Sequence, residues 1–123
     1  MSAYVTFFRY SVEAWKRMID TPENRAVAAR GLIEKIGGSM ETFYWMFGEW
    51  DGLVIYHVPD PATAAAFSGV VISSGLIDRV ETHQLVSMDE ARTALERSKA
   101  LEQSYVPPGG QHEWLAEYSD AVD

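Results

Sequence analysis

Residues 38–58 read GSMETFYWMFGEWDGLVIYHV, and the fold follows from how this run is divided. Met40 to Phe47 is apolar or aromatic on both alternating sets. Phe43, Trp45 and Phe47 fall on one side, and Met40, Tyr44 and Met46 on the other. Gly48-Glu49-Trp50-Asp51-Gly52 has turn chemistry, because glycine permits unusual backbone angles and aspartate bonds nearby amides. Leu53 to Val58 returns as a second strand rich in β-branched residues. The pair is a hairpin. An isolated antiparallel sheet has one wet face, so a strand that is apolar on both sides predicts a cover for the second face, most simply another subunit.

Outward from this hairpin the elements are regular. Toward the N-terminus, Gly37-Gly38 ends a helix, as glycine tolerates the left-handed C-cap. That helix places Ala29, Leu32, Ile33 and Ile36 at core spacing. Thr21-Pro22-Glu23 reads as its start, with a capping hydroxyl, a proline at the first position and a carboxylate near the positive end of the dipole. Before it, Ser11 caps a short helix over Val12 to Ile19, and Ala3 to Tyr10 is a first strand. Toward the C-terminus, Asp60-Pro61 opens an alanine-rich helix that fades at Ser73-Ser74-Gly75. Asp78 to Val86 is a fourth strand. Ser87 and Glu90 form a capping box for a last helix, Met88 to Leu101, with Met88, Ala91, Leu95 and Ser98 on one face.

The order β, short helix, α, β, β, α, β, α contains βαββαβ. It predicts an α+β, ferredoxin-like fold: a four-stranded antiparallel sheet with helices on one face, an extra C-terminal helix and a tail. Two regions are expected, a domain over 1–101 and an acidic tail over 102–123. In the tail, Tyr105-Val106-Pro107-Pro108-Gly109-Gly110 breaks regular structure. His112 to Tyr118 has one or two turns of helical character, with Trp114, Leu115 and Tyr118 clustered.

At 123 residues, with 47% hydrophobic side chains, the chain can form a core without staples, and it has no cysteine. Disulfides, thiolate metal sites and thiol nucleophiles are therefore excluded. The net charge is −8, of which −5 lies in residues 102–123, a field that repels nucleic acid. No stretch approaches the roughly 20 apolar residues that span a bilayer, and the first residues lack the pattern of a signal peptide. The expected setting is cytoplasmic, with no membrane and no nucleic-acid partner. There is no nucleophile elbow, phosphate loop or dinucleotide-binding glycine pattern.

Residues 38–51, from Gly38-Ser39-Met40 to Gly48-Glu49-Trp50-Asp51, resemble the signature stretch of the GYD-domain family, with Trp50 where that family has its tyrosine. The resemblance continues through Val58-Pro59-Asp60, the alanine-rich helix and Ser87 to Glu90. Tyr10 to Trp15, Thr21 to Arg25 and Tyr105 to Pro108 resemble a bacterial branch of the family. It implies a ferredoxin-like domain related to the dimeric α+β barrels, among them cofactor-free monooxygenases and small cyclases. It implies no particular activity, since fold and function are separable.

Candidate chemistry lies in three groups. His57 and His83 end two strands that flank the first and run parallel, and histidine titrates near neutrality. With Tyr56 they are the candidate acid–base residues. A metal would need a third ligand from Glu41, Glu81 or His112; no metal or cofactor is assigned. Tyr4, Phe8, Tyr10, Phe43, Tyr44, Trp45, Phe47 and Tyr56 form an aromatic set that can line a pocket for a planar ligand, with Tyr4, Tyr44 and Trp45 the leading candidates, against the plainer reading that most are core or interface. Arg9 needs a carboxylate or an anionic ligand. Trp50 and Asp51 either build the turn or stand at a pocket rim. The leading expectation is a homo-oligomer, a dimer or higher, that binds a small apolar or aromatic molecule between sheet and helices. The alternatives are a cofactor-independent cyclase, isomerase or monooxygenase using a histidine–tyrosine pair, and a protein-interaction module.

Overall fold

A computed structural model describes residues 1–110. The elements in chain order are β1 (Ser2–Tyr10), α1 (Val12–Asp20), α2 (Arg25–Lys35), β2 (Ser39–Trp45), β3 (Gly52–Val58), α3 (Pro61–Ser73), β4 (Ile77–Leu85) and α4 (Met88–Leu101), then a 3₁₀ turn, Glu102–Ser104. The strands form one sheet in the order β2-β3-β1-β4, with every neighbouring pair antiparallel. This is the expected α+β ferredoxin-like arrangement. The tail helix read over His112 to Tyr118 lies outside the described residues.

Side-chain alternation assigns the faces. In β1 the even residues Tyr4, Thr6, Phe8 and Tyr10 are buried, and in β3 Val54, Tyr56 and Val58 are buried. These meet α2 and α3 through Ile33, Ala64 and Phe67. A second cluster joins Phe8 and Tyr10 to Ala14, Trp15 and Met18 of α1. The odd residues Ala3, Val5, Phe7, Leu53 and Ile55 point to the other face.

Two readings of the sequence are corrected. The first concerns β2. A bulge between Met40 and Thr42 inserts one residue against β3 and reverses the alternation at that point. Met40, Phe43 and Trp45 therefore share the helix side, and Thr42 and Tyr44 the other. The strand is less evenly apolar than its sequence suggests. It also stops at Trp45, leaving Phe47 fully exposed in the turn. The second concerns α2. Its N-cap is Asn24, whose side chain accepts from the Ala26 amide at 3.0 Å. Thr21 instead closes α1, donating its amide to the Arg17 carbonyl at 2.9 Å. Thr21 and Asn24 are both cap-forming residues, and only the path of the chain decides between them.

Asp51 fixes the hairpin turn to the sheet. Its amide donates to the Phe8 carbonyl, its carbonyl accepts from Met46, and its Oδ2 accepts from the Tyr10 amide at 2.8 Å. Gly52 is required beside it, because a Cβ there would lie 2.3 Å from the Phe8 ring and 2.7 Å from the Tyr44 carbonyl oxygen.

Contacts divide the chain between Leu85 and Val86. The second unit opens with α4, which has the expected capping box: Ser87 Oγ accepts from the Glu90 amide, and Glu90 Oε1 from the Ser87 amide. Ala91 is half-buried, while Met88 and Leu95 are exposed. Among the described residues, no helix is long and apolar enough to cross a membrane.

Candidate functional site

The helix side of the sheet is not filled everywhere. A half-open cavity of about 250 Å³ lies between the sheet and helices α2 and α3. Its floor is Thr6, Phe8 and Tyr10 of β1, with Phe43, Val54 and Ile77 from the other strands. Ala28, Ala29 and Leu32 of α2 form one wall, and Phe67 and Val71 of α3 the other. Small residues on α2 keep that wall back from the sheet. The polar side chains in the lining are Thr6, Tyr10 and Arg25.

Each polar group has a defined environment. Thr6 is buried, and its hydroxyl lies 2.8 Å from both the Tyr56 and Thr82 hydroxyls. Thr82 is in turn 2.8 Å from Ser68 of α3. Four hydroxyls thus form a connected chain under the cavity. Thr6 and Thr82 in the middle can each donate one bond and accept one, while Tyr56 and Ser68 at the ends make one link each. Burial pushes the Tyr56 phenol above its ordinary value, and the hydroxyls of Thr6, Thr82 and Ser68 partly offset this. Tyr10 is also shifted up by burial, with the Trp45 indole and Arg25 guanidinium opposing.

The mouth is aromatic and cationic. Tyr10, Trp15 and Trp45 form a triangle with ring centroids 5.5–6.5 Å apart. Outside it, a shallow groove is lined by Glu23, Asn24, Arg25, Ala26, Phe43 and Trp45. Arg25 and Phe43 line both spaces, so they stand between groove and cavity. Arg25 is bonded to Glu23 at 3.0 Å, and both side chains are largely exposed.

The residues expected from sequence are distributed differently. Trp45 lines the groove at the mouth. Tyr4 is buried on the same side of the sheet, stacked with Tyr56 at 6.0 Å, and its hydroxyl has no partner among the described residues. Asp51 is held in the turn as a structural clamp. Trp50 lies against Phe7, with the Arg79 guanidinium 4.7 Å from its ring. Arg9 is exposed and sits opposite Arg79 on the other face. Tyr44 is also on that face, 64% exposed.

His57 pairs with Ala3 and His83 with Val5, so both histidines project from the side of the sheet away from the cavity. Strand spacing and the two-residue offset put their Cα atoms roughly 12 Å apart. Each has its own carboxylate neighbour, His57 with Glu41 at 3.9 Å and His83 with Glu81 at 3.2 Å, both in exposed surroundings. Tyr56, adjacent to His57 in the strand, points to the opposite face, so the structure does not bring a His57–Tyr56 couple together. Among the described residues, no three His, Asp or Glu side chains are grouped to hold a metal ion; His112 lies outside them.

Tyr10 belongs to the aromatic set read as pocket lining; Thr6, Arg25 and the wall residues of α2 and α3 have no site role in the sequence reading. The even-residue alternation of β1 marks Thr6 and Tyr10 as inward-facing. Arg25 carries a separate signal, a cation at the first position of a helix.

The model of the GYD domain family matches residues 4–95. A crystal structure of the protein At3g17210 from Arabidopsis thaliana is similar at 12% identity, covering 72% of this chain and 96% of that one, with a TM-score of 0.46. No curated protein matches the chain.

Proposed function

The chain belongs to the GYD domain family, and within it we propose that this protein binds a small, largely apolar molecule in the cavity between its sheet and helices α2 and α3. The observation that carries this reading is the cavity itself. Protein interiors are packed to crystal density with few voids. Here Ile33, Val54, Tyr56 and Val58 beside the cavity are almost completely buried, so the sheet and helices pack tightly around a space they leave open. Its lining is apolar with a few convergent polar groups, the general character of a ligand pocket. At about 250 Å³ it lies below the roughly 300–1,000 Å³ of drug-sized sites, which points to a compact ligand.

Calorimetric titration with 4-phenylbutan-1-ol, an apolar body with a neutral hydroxyl, tests the reading. The wild-type protein is expected to bind it. Ala29→Phe, which places a ring in the cavity from the α2 wall, is expected to abolish binding while the far-UV circular dichroism stays unchanged. Absence of binding to wild-type protein, or undiminished binding to a folded Ala29→Phe variant, overturns it.

The second face of the sheet favours a homodimer. Phe7, Leu53 and Ile55, each partly exposed, and Tyr44, largely exposed, form an apolar strip on it around the buried Val5. A contiguous apolar strip of this kind suits a second copy of the chain. The proposed assembly is a dimer through this face, with the ligand cavity on the opposite side.

A further inference from the structure

We propose that the ligand of the helix–sheet cavity is a monoanionic amphiphile of the carboxylate class, its charged head held by Arg25 at the mouth and its apolar body inside. This deepens the reading of the cavity as a binding site and rests on it.

The chemistry of the lining sets the ligand's polarity. Inside, the contacts offered are the rings of Phe8, Phe43 and Phe67 and the aliphatic groups of Leu32 and Val71. Among the described residues, no acidic side chain lines the cavity, and Arg25 is the one ionic group in its lining. An apolar body therefore enters favourably, and an anionic head is matched where the body leaves the cavity. A cationic head at the same point meets the Arg25 guanidinium, whose charge Glu23 beside it only partly offsets, with the helix terminus adding to the positive side.

The position of Arg25 supports a role beyond a surface ion pair. It is the first residue of α2, at the positive end of the helix dipole, where a cation is unfavourable and an acid is favoured. Of the other helices, α1 has Glu13 in its first turn and α4 has Asp89 and Glu90, while α3 has no acid there but no cation either. In α2 no acid occupies the first turn. Guanidinium and helix terminus thus add their positive fields at the entrance. A local preference broken at a cavity mouth marks a functional position.

Glu23 Oε1 accepts from the guanidinium at 3.0 Å. Exposed pairs of this sort contribute little, so an incoming carboxylate can take over the bond. Guanidinium and carboxylate match in geometry, with two parallel N–H groups facing two oxygens. A single guanidinium also limits the charge. A phosphate monoester near −2 would need further cations, and the net charge of −8 opposes it.

The test compares three probes that share one body: 4-phenylbutyrate, 4-phenylbutan-1-ol and 4-phenylbutylamine. Wild-type protein is expected to bind the carboxylate roughly tenfold more tightly than the alcohol, the scale of one charge-assisted hydrogen-bonded contact, and the amine most weakly. In Arg25→Gln the roughly tenfold preference for carboxylate over alcohol is expected to disappear. Arg25→Lys should retain part of the preference, and Glu23→Gln should strengthen carboxylate binding by removing the competitor. Equal binding of carboxylate and alcohol by wild-type protein, or a preference that survives Arg25→Gln, overturns the head-group assignment and leaves the cavity reading standing. Failure of both carboxylate and alcohol to bind overturns the two together.

Discussion

Thr6 is the residue on which the helix side of the sheet turns. A threonine at the centre of β1 would be an unmet polar group, were its hydroxyl not shared with Tyr56 and Thr82 at 2.8 Å each. Thr6→Val keeps the shape but strands the Tyr56 hydroxyl and leaves Thr82 with Ser68 alone. It is expected to cost about 1–3 kcal/mol in urea unfolding, the penalty of leaving buried polar groups unpaired. Tyr56→Phe removes the end of the chain and leaves the Thr6–Thr82 bond, so a smaller loss of about 1 kcal/mol is expected. The same tyrosine sets a pH dependence. Tyr56 and Tyr10 are both raised above the ordinary value of 10.0, so the folded protein holds their protons longer than the unfolded chain does. Their contribution is complete below pH 10 and is lost as the pH rises from there through the folded values. Urea midpoints measured from pH 8 to 11 should fall above pH 10, and less steeply in Tyr56→Phe. At this scale the sequence was least legible. His57 and His83 were conspicuous as residue types, but the register of β1 with β3 and β4 sends both away from the cavity. Arg25 was quoted only as part of a family stretch, because its meaning depends on which residue caps α2.

At the scale of elements, most of the fold could be read directly. The ends of α3 and α4 follow from Asp60-Pro61, Ser74-Gly75 and the Ser87–Glu90 box, since capping is local chemistry that sequence displays. Ser87→Ala is expected to cost about 1 kcal/mol of local helix stability. Amide hydrogen exchange in the first turn of α4 should accelerate accordingly, while exchange in β1 stays unchanged. β2 was harder, because a bulge depends on its partner strand. The alternation Phe43, Trp45, Phe47 is real in sequence, yet the residue inserted after Met40 turns Met40 to the core side as well. The strip on the second face is thereby assembled from β1, β2 and β3 together, with Tyr44 as its most exposed ring.

For the whole molecule, the two faces of the sheet have separate roles in this account. The helix side carries the cavity, and the other side carries the strip proposed to meet a second copy. Light scattering at micromolar concentration should therefore give the mass of a dimer, and Ile55→Asp a monomer that keeps its circular dichroism. A wild-type monomer at that concentration contradicts the assembly without touching the cavity. A ligand site between sheet and helices is an expectation of the sequence, but its walls and size are not legible there, because the space is left by the placement of α2 and α3 on the sheet and by alanines that look like ordinary helix formers.

Amide chemical-shift mapping during titration with 4-phenylbutan-1-ol tests the central claim most directly, since it reports both binding and place. The account predicts saturable shifts at Thr6, Leu32, Phe43, Phe67 and Val71, with His57 and His83 unmoved. Shifts confined to Tyr44, Leu53 and Ile55, or no shifts at all, would contradict it.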